Sequence, residues 1–380
     1  MAVVRASHVY KVFGRREKEV ITRLEQGADR KDLAHLGTAA VIDASFEVDT
    51  GEIFVVMGLS GSGKSTLIRM INGLWTPSAG TVEIAGNDIS HMSPARLRKV
   101  RREHISMVFQ HFALLPHRTV RENAAYGLEI QGVAKAERLE RADTWLDTVG
   151  LGGWGDKYPS QLSGGMQQRV GLARALAAET DVLLMDEAFS ALDPLIRSEM
   201  QDQLLELQKT LGKTIVFITH DLNEAMYLGD RIAVMRDGRM VQIGTSEEIL
   251  TTPADDYVAD FVKDVDRSRV LTAGSIMEPV GASADTGSMP LVAEDTPVAE
   301  LFAPSVEAGG SLAVVGADDT IVGVVTQDDL LGSMASTAAT GDTSGESPSP
   351  AEAPAAPGTL APSADGTSDG DSASAGSKEA

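Results

Sequence analysis

The sequence predicts an α/β fold in which helices pack on a largely parallel β-sheet. Apolar, β-rich runs recur across residues 51–265, and helix-forming segments separate them. Because parallel strands need long crossover connections, this alternation is typical of a parallel sheet. A glycine-rich turn joins the β-rich residues 53–57 to the helix-forming residues 67–71, which is the setting of a phosphate-binding loop. With 380 residues, the chain is also long enough for two or three domains.

The individual elements are expected as follows. Residues 1–50 predict a β-like start at 3–4 and 8–13, a helix at 18–36 and a strand at 40–48. Further strands are expected at residues 53–57, 105–109, 182–185, 214–218 and 231–235. Residues 266–335 predict a small βα-type unit with strands at 311–315 and 321–325 and a helix at 328–334. Residues 336–380 are mostly Ala, Ser, Gly, Pro, Thr and acids, so we expect a disordered acidic tail.

Composition excludes several classes of function. The chain has no cysteine, which excludes disulfides, thiol catalysis and thiolate metal sites and suits a reducing compartment. A net charge of −22 argues against nucleic acid as the main ligand, because a phosphate backbone selects basic surfaces. The N-terminus lacks a secretory apolar core and no apolar run is long enough to span a bilayer, so any membrane role is expected to come through a partner.

The glycine-rich turn is the strongest local signal in the chain. Glycines let the backbone curl so that successive N–H groups point at phosphate oxygens, and the next helix presents its positive N-terminal end. A lysine adds positive charge at the β- and γ-phosphates, and the following serine offers an oxygen ligand for Mg²⁺. We therefore expect ATP or another nucleotide here; the candidate residues are Gly58, Ser60, Gly61, Ser62, Gly63, Lys64, Ser65 and Thr66.

Two adjacent carboxylates end the apolar run at residues 182–185. Asp186 is suited to Mg²⁺ coordination through water, and Glu187 is suited to polarise an attacking water molecule. A buried strand that ends in a solvated Asp-Glu turn is the plainer alternative.

A second candidate anion site lies at Ser163-Gly164-Gly165, where a serine precedes a helix-forming run and the glycines expose backbone N–H groups. An ordinary helix N-cap with a flexible turn would give the same pattern. Gln110 and His220 each follow an expected strand, at the sheet edge where ligands gather in open α/β folds. Either could instead be an ordinary hydrogen-bonding residue.

In this order, these elements resemble the ATP-binding cassette of ABC transporters over residues 1–265. The resemblance implies a head-to-tail homodimer in which ATP lies between residues 58–66 of one copy and Ser163, Gly164 and Gly165 of the other. It implies Glu187 as catalytic base, His220 as γ-phosphate sensor and Gln110 as the link from the metal to a transmembrane partner. It further implies Mg²⁺ at Ser65, Gln110 and Asp186, places Asp193 at the dimer seam, and assigns adenine stacking to Phe13, with Tyr10 as the alternative.

A narrower resemblance points to the ATPase subunit of glycine betaine/proline importers. It rests on the expected helical insert, on Met166 after the Ser-Gly-Gly turn where most cassettes carry Gln, and on residues 185–197. Residues 272–277 and 321–330 resemble the beginning and end of a CBS motif, although this chain has room for about one motif where that branch usually has two. The implied domains are an ABC ATPase at 1–265, with an insert at 15–38 and a helical subdomain at about 110–178, and a CBS-like regulatory unit at 266–335.

The resemblance implies ATP-driven uptake of betaine-type compatible solutes together with permease subunits and a substrate-binding protein. The protein would then be peripheral, at the cytoplasmic face of the membrane. Choline, carnitine, proline or another solute stays open as the cargo, and a non-transport ABC ATPase is the alternative from another class. A permease would dock near residues 110–123, where Phe112, Leu114 and Leu115 are expected to be exposed. A basic cluster predicts either a solvated helix face or contact with anionic lipid: Arg96, Arg98, Lys99, Arg101 and Arg102.

Overall fold

The structure, a computed structural model, describes residues 1–110, 112–280 and 289–334. The expected acidic tail at 336–380 lies outside these residues. The strands are β1 Ala2–Phe13, β2 Thr38–Asp49, β3 Ile53–Met57, β4 Ala79–Ile84, β5 Asn87–Asp88, β6 Ile105–Val108, β7 Val182–Asp186, β8 Thr214–Ile218, β9 Arg231–Arg236, β10 Arg239–Gly244, β11 Glu278–Pro279, β12 Leu291–Ala293, β13 Leu312–Val315 and β14 Ile321–Val325.

The helices connect these strands and cover the sheets. A short 3₁₀ turn, Pro159–Gln161, precedes α7. The α-helices are α1 Glu17–Glu25, α2 Lys64–Ile71, α3 Pro94–His104, α4 Val120–Ala124, α5 Tyr126–Gln131, α6 Lys135–Thr148, α7 Gly164–Ala177, α8 Pro194–Leu211, α9 Leu222–Leu228, α10 Ser246–Thr251, α11 Asp256–Val262, α12 Arg267–Val270, α13 Ala273–Ile276, α14 Val298–Ala308 and α15 Gln327–Met334.

A six-stranded sheet, in the order β10-β9-β3-β8-β7-β6, carries the candidate site. Strands β9, β3, β8, β7 and β6 are parallel, and only the edge pair β10–β9 is antiparallel. The carboxyl ends of β3, β7 and β8 therefore meet at one edge of the sheet, where ligands bind in such folds. The predicted parallel α/β core is confirmed.

Two apolar layers hold this sheet. On one face, strand residues such as Val55 and Met185 pack with α7, α8 and α9. On the other face, residues such as Val56 and Leu184 pack against α2 and an antiparallel sheet in the order β2-β1-β4-β5. Buried on both faces, the central strands are apolar except for Asp186 and Thr214 at strand ends, as is typical of parallel sheets.

The insert between β1 and β2 differs from its prediction. The helix expected within residues 18–36 ends at Glu25, because Gly27 takes a left-handed backbone conformation (φ 89°) and the chain continues in turns. Leu33 is nevertheless buried with Leu24 in the insert's own core. The spacing of apolar residues thus predicted the burial of Leu24 and Leu33 correctly, but it did not predict the length of the helix.

The last described sheet belongs to residues 266–334 and has the order β11-β14-β13-β12. Strands β13 and β14 and helix α15 confirm the predicted elements, whereas α14 was missed. Leu271, Leu301 and Val314 lie in its apolar core. No helix in the described part of the chain combines the length and apolar character that a bilayer-spanning segment needs.

Candidate functional site

The loop between β3 and α2 has the geometry of an anion-binding turn. Gly58 and Gly63 have φ values of 146° and 110°, which side chains other than hydrogen rarely allow. A Cβ on Gly58 would lie 2.2 Å from the Met235 carbonyl oxygen, and one on Gly63 would lie 2.3 Å from that of Ala40. Strands β9 and β2 therefore hold the loop closely, and the glycines are required for that approach.

Two polar side chains of the loop are buried without the partners that a phosphate would supply. The Lys64 amine donates to the Gly58 and Leu59 carbonyls at 2.7 and 3.2 Å, and burial lowers its pKa while Glu187 and Asp186 raise it. The Ser62 hydroxyl is buried with no hydrogen-bond partner among the described residues. An unpaired buried hydroxyl is costly, and within the described part of the chain the charge of Lys64 is met only by backbone carbonyls, so both side chains fit a bound phosphate.

Asp186 ends β7 beside the loop. Burial raises the pKa of its carboxyl group and neighbouring Glu187 adds to the rise, whereas Arg69, Lys64 and a hydrogen bond from Ser65 lower it. Hydroxyl and carboxylate oxygens in contact are the ligand types that Mg²⁺ prefers. Ser65 and Asp186 therefore fit a Mg²⁺ ion in the predicted position.

Glu187 is held in place by its backbone and by two polar side chains. Its φ is 46°, and its N–H donates to the Ile218 carbonyl at 2.9 Å. The Gln110 amide donates to its carboxylate at 3.1 Å, and the His220 ring nitrogen lies 3.3 Å from the same oxygen. Three residues that follow three different strands, each predicted from sequence, are thus brought together.

A cleft of about 560 Å³ lies over the loop. Glu187 and His220 line it, and Phe13 contributes an aromatic ring that is 40% exposed and packs edge-on against Trp75 at 5.1 Å. The alternative aromatic, Tyr10, is buried in the core of the insert. The predicted loop residues in the lining are Ser60, Gly61, Gly63, Lys64, Ser65 and Thr66.

Comparison with known proteins gives the family. The ABC transporter model matches residues 41–190. The glycine betaine transport ATP-binding protein OpuAA of Bacillus subtilis is 59% identical over 277 residues, 72% of this chain and 66% of that protein. The glycine betaine/proline betaine transport system ATP-binding protein ProV of Salmonella typhimurium is 53% identical over 278 residues, 72% of this chain and 70% of that protein. The chain belongs to the ABC transporter ATP-binding proteins.

A solved structure agrees with this assignment. The dimeric ATP-binding cassette MJ0796, bound to ADP and Pi, matches with a TM-score of 0.55 and 32% identity over 64% of this chain and 98% of that one. The resemblance to ATPase subunits of betaine importers is confirmed by the relatives. Those alignments span about two thirds of the relatives' lengths, 66% and 70%.

The signature turn of this ABC protein lies outside the cleft of its own chain. Ser163 is exposed and caps α7, where its hydroxyl accepts from the Met166 N–H at 3.3 Å. Asp193 likewise caps α8 by accepting from the Ile196 N–H at 3.1 Å. Among the described residues that line the cleft, neither Ser163, Gly164, Gly165 nor Asp193 occurs.

A second groove, of about 500 Å³, lies between α3, α5 and α7. The expected exposure of Phe112, Leu114 and Leu115 is wrong, because all three are half-buried, the first two against the core. Phe109, 37% exposed, lies in the groove instead. Of the basic cluster on α3, Arg98, Arg101 and Arg102 line the groove, whereas Arg96 and Lys99 are exposed elsewhere on the helix.

Sequence reasoning missed several contributors. Arg30, Thr38 and Ala40 line the cleft although no local motif marks them. Arg174, half-buried on α7, donates to the carbonyls of Phe112 and Ala113 at 3.1 and 2.6 Å. Its burial lowers the pKa of the guanidinium. The sequence signal for Arg174 was an arginine within an apolar helical run, because a charged side chain removed from water needs hydrogen-bonding partners.

Proposed function

We propose that this chain is the ATP-hydrolysing subunit of an ABC importer for glycine betaine and related solutes such as proline betaine. The cleft in which Lys64 faces Glu187 and His220 carries the proposal of ATP hydrolysis. The names of the two betaine-transport relatives support the class of cargo. Choline, carnitine and proline remain the alternatives to be tested as cargo.

The proposed roles follow from the contacts. Backbone N–H groups of the loop and the Lys64 amine bind the phosphates, while the exposed Phe13 ring stacks on adenine. Glu187 takes the proton of the attacking water, and His220 contacts the γ-phosphate from the neighbouring position. Positioning by Gln110 and His220 matters because phosphoryl transfer depends on geometry and electrostatics.

We also propose that Ser65, Gln110 and Asp186 hold Mg²⁺. A bound divalent cation would neutralise charge on the phosphate oxygens. Asp186 is suited to this because its burial disfavours an unpaired carboxylate, so a cation stabilises the ionised form. Removal of divalent cations by EDTA is expected to abolish hydrolysis, which an ATPase assay with and without Mg²⁺ checks.

Exposure of the signature turn supports a homodimer in which each ATP meets Ser163, Gly164 and Gly165 of the other copy, with Asp193 at the seam. The absence of cysteine makes a clean test. One copy carries Ser60→Cys and the other Ser163→Cys, both with Glu187→Gln to prevent hydrolysis. ATP should promote cross-linking between copies; cross-linking that is absent, or equal without ATP, contradicts the arrangement.

The proposed docking surface for a permease segment is residues 110–123 together with the groove along α3, which Ala113 of that segment also lines. The apolar floor of the groove, which includes Phe109 and Ile130, suits an apolar partner segment. We further propose that the basic cluster contacts anionic lipid head groups, which would place the subunit peripherally at the cytoplasmic face of the membrane. Neutralising Arg96, Arg98, Lys99, Arg101 and Arg102 should then reduce the salt dependence of transport, and an unchanged salt dependence contradicts lipid contact.

Residues 266–334 are proposed to be a CBS-like regulatory unit. The two matching segments begin at α13 and end at α15, on either side of one small apolar core. A substrate-binding protein is the remaining proposed partner, since an importer needs a subunit that delivers the cargo.

The deciding experiment measures uptake into vesicles that hold the complete transporter, with ATP inside. Labelled glycine betaine should be taken up, and unlabelled proline betaine should compete more strongly than choline, carnitine or proline. Lys64→Ala should abolish uptake. Active uptake of another solute with no glycine betaine uptake would overturn the cargo assignment while leaving the ATPase assignment intact.

A further inference from the structure

The insert between β1 and β2 has a fixed place beside the nucleotide cleft. Its residues Val20, Leu24 and Leu33 are buried together with Val12 and Ile42 of the two strands. Because strand and insert side chains share one core, the insert does not move independently of β1 and β2. Its turns are therefore positioned as firmly as the strands that carry Phe13 and Ala40.

Arg30 lies in a tight turn of this insert. The Lys31 N–H donates to the Asp29 carboxylate at 2.7 Å, and the Asp32 N–H donates to the Asp29 carbonyl at 3.2 Å. These bonds fix the backbone on either side of Arg30. Its side chain is 27% exposed and lines the cleft.

Arg30 forms a weak ion pair that a bound anion can replace. A guanidinium nitrogen lies 3.6 Å from the Asp237 carboxylate, whose side chain is 67% exposed. An exposed pair at this distance contributes little to stability, and an anionic oxygen bound to the same guanidinium would replace it at small cost.

Arg30 lies near the part of the loop that binds the inner phosphates. Its partner Asp237 adjoins Gly238, whose N–H donates to the Ser62 carbonyl at 2.9 Å and whose carbonyl accepts from the Ile42 N–H at 2.7 Å. Phe13 and Thr66 line the same cleft as Arg30. In a phosphate-binding loop the lysine faces the β- and γ-phosphates, so a cation on the side of Phe13, the proposed adenine contact, is placed to meet the α-phosphate.

We propose that Arg30 is a further nucleotide-binding residue, supplied by the insert, whose guanidinium donates to the α-phosphate. This inference rests on the proposed ATP site. Planar guanidinium groups match phosphate oxygens well, and Arg30 would add a positive charge to the site independently of Lys64. ATP and ADP both carry the α-phosphate, so both should depend on Arg30 to the same degree.

The test compares dissociation constants of ATP and ADP for the full chain, measured by calorimetry. Arg30→Ala should weaken both by about tenfold, the usual effect of removing a hydrogen bond to a charged group. Arg30→Lys should lose less, because it keeps the charge. Arg23→Ala is the matched control, since Arg23 lies on the same insert but pairs with Glu19 at 2.6 Å on the surface.

Three outcomes separate the possibilities. Unchanged affinities in Arg30→Ala, with binding lost in Lys64→Ala, overturn the role of Arg30 and leave the ATP site standing. Weakened ATP binding with unchanged ADP binding overturns the α-phosphate assignment. If the unmodified chain binds neither nucleotide, the proposed function itself fails. Melting temperatures measured without nucleotide identify any variant that is unfolded. If Arg30→Ala is unfolded, the affinities of Arg30→Lys for ATP and ADP test the proposal in its place.

Discussion

The side-chain amide of Gln110 donates to the carboxylate of Glu187 across 3.1 Å. The same amide lies 3.3 Å from the Ser190 hydroxyl, which in turn donates to the Glu187 carbonyl at 2.9 Å. Glu187 is thus bound through its side chain and its backbone. Gln110 follows Phe109, which lines the proposed docking groove, so a movement of Gln110 would act on the side chain of the proposed catalytic base.

Glu187→Gln should bind ATP but lose hydrolysis. The amide keeps the size of the side chain and cannot accept a proton from water, so turnover should fall by at least about a hundredfold. ATP-dependent dimers should accumulate, as measured by gel filtration beside a phosphate-release assay. Glu206→Gln, at an exposed position on α8, is the control. Near-normal turnover in Glu187→Gln would remove Glu187 from its role.

Gly58→Ala should abolish nucleotide binding, whereas Gly61→Ala should weaken it only modestly. A Cβ at Gly58 meets the Met235 carbonyl oxygen at 2.2 Å, and a backbone atom cannot move aside easily. Gly61 also has a positive φ, of 80°, but a Cβ there meets nothing within 4 Å. Equilibrium binding of a fluorescent ATP analogue compares the two variants. Equal losses would show that backbone conformation, not the contact with β9, limits the loop.

Local motifs could be predicted from the sequence because their chemistry and geometry lie within a few consecutive residues. Residues 58–66 and Asp186-Glu187 are of this kind, and the structure brings them to one sheet edge. Arg30 could not be predicted, since its place in the cleft depends on the packing of the insert against β1 and β2. The choice between Tyr10 and Phe13 likewise depended on which side chain the insert buries.

The secondary structure also contains elements that the local sequence predicts and elements that depend on contacts distant in sequence. Strands β3 and β8 matched their predicted bounds because continuous apolar runs between polar turns define a buried strand. Strand β4 was missed, because Ala79, Gly80 and Thr81 are only half-buried and show no alternation. Its position is determined by pairing with β1, a contact distant in sequence.

Arg174→Ala should destabilise the segment that follows Gln110. Phe112 and Ala113 both have left-handed φ values, 52° and 48°, and their carbonyls accept from the Arg174 guanidinium. Losing that donor leaves the half-buried Phe112 carbonyl unpaired, at a cost of about 1 kcal/mol, whereas water can replace the guanidinium at the exposed Ala113 carbonyl. Urea denaturation measures the loss, with Arg141→Ala as control, because Arg141 pairs with the exposed carboxylate of Glu179 instead of with backbone carbonyls. Unchanged stability would show that water replaces the guanidinium.

Permease-stimulated hydrolysis should respond to Arg174 more than basal hydrolysis does. Arg174 lines the docking groove through α7, the helix that Ser163 caps. Arg174→Lys keeps the charge but can reach fewer carbonyls, so its stimulated rate should lie between those of the original and Arg174→Ala. Equal losses of basal and stimulated rates would assign the effect to folding alone.

Glu224→Gln should stabilise the protein at neutral pH. Burial raises the pKa of the Glu224 carboxyl group, and Asp221 adds to the rise, while hydrogen bonds from Thr219 and Gln201 and the charge of Arg197 lower it. With a pKa above its unfolded value, the folded state binds the proton more tightly, so the carboxyl group's contribution to the unfolding free energy falls as pH rises through that window. Glutamine keeps the shape and removes the buried charge.

The pH dependence of the stability gain distinguishes removal of the buried charge of Glu224 from a change in side-chain packing. The stability gained by Glu224→Gln should be largest above the raised pKa and should shrink as pH falls toward the ordinary carboxyl value of 4.5. Urea denaturation of both proteins from pH 4.5 to 8 measures that difference, with Glu206→Gln as a solvent-exposed control. A variant that is less stable than the original at pH 8 would show that the ionised carboxylate is held by its hydrogen bonds more strongly than burial opposes it.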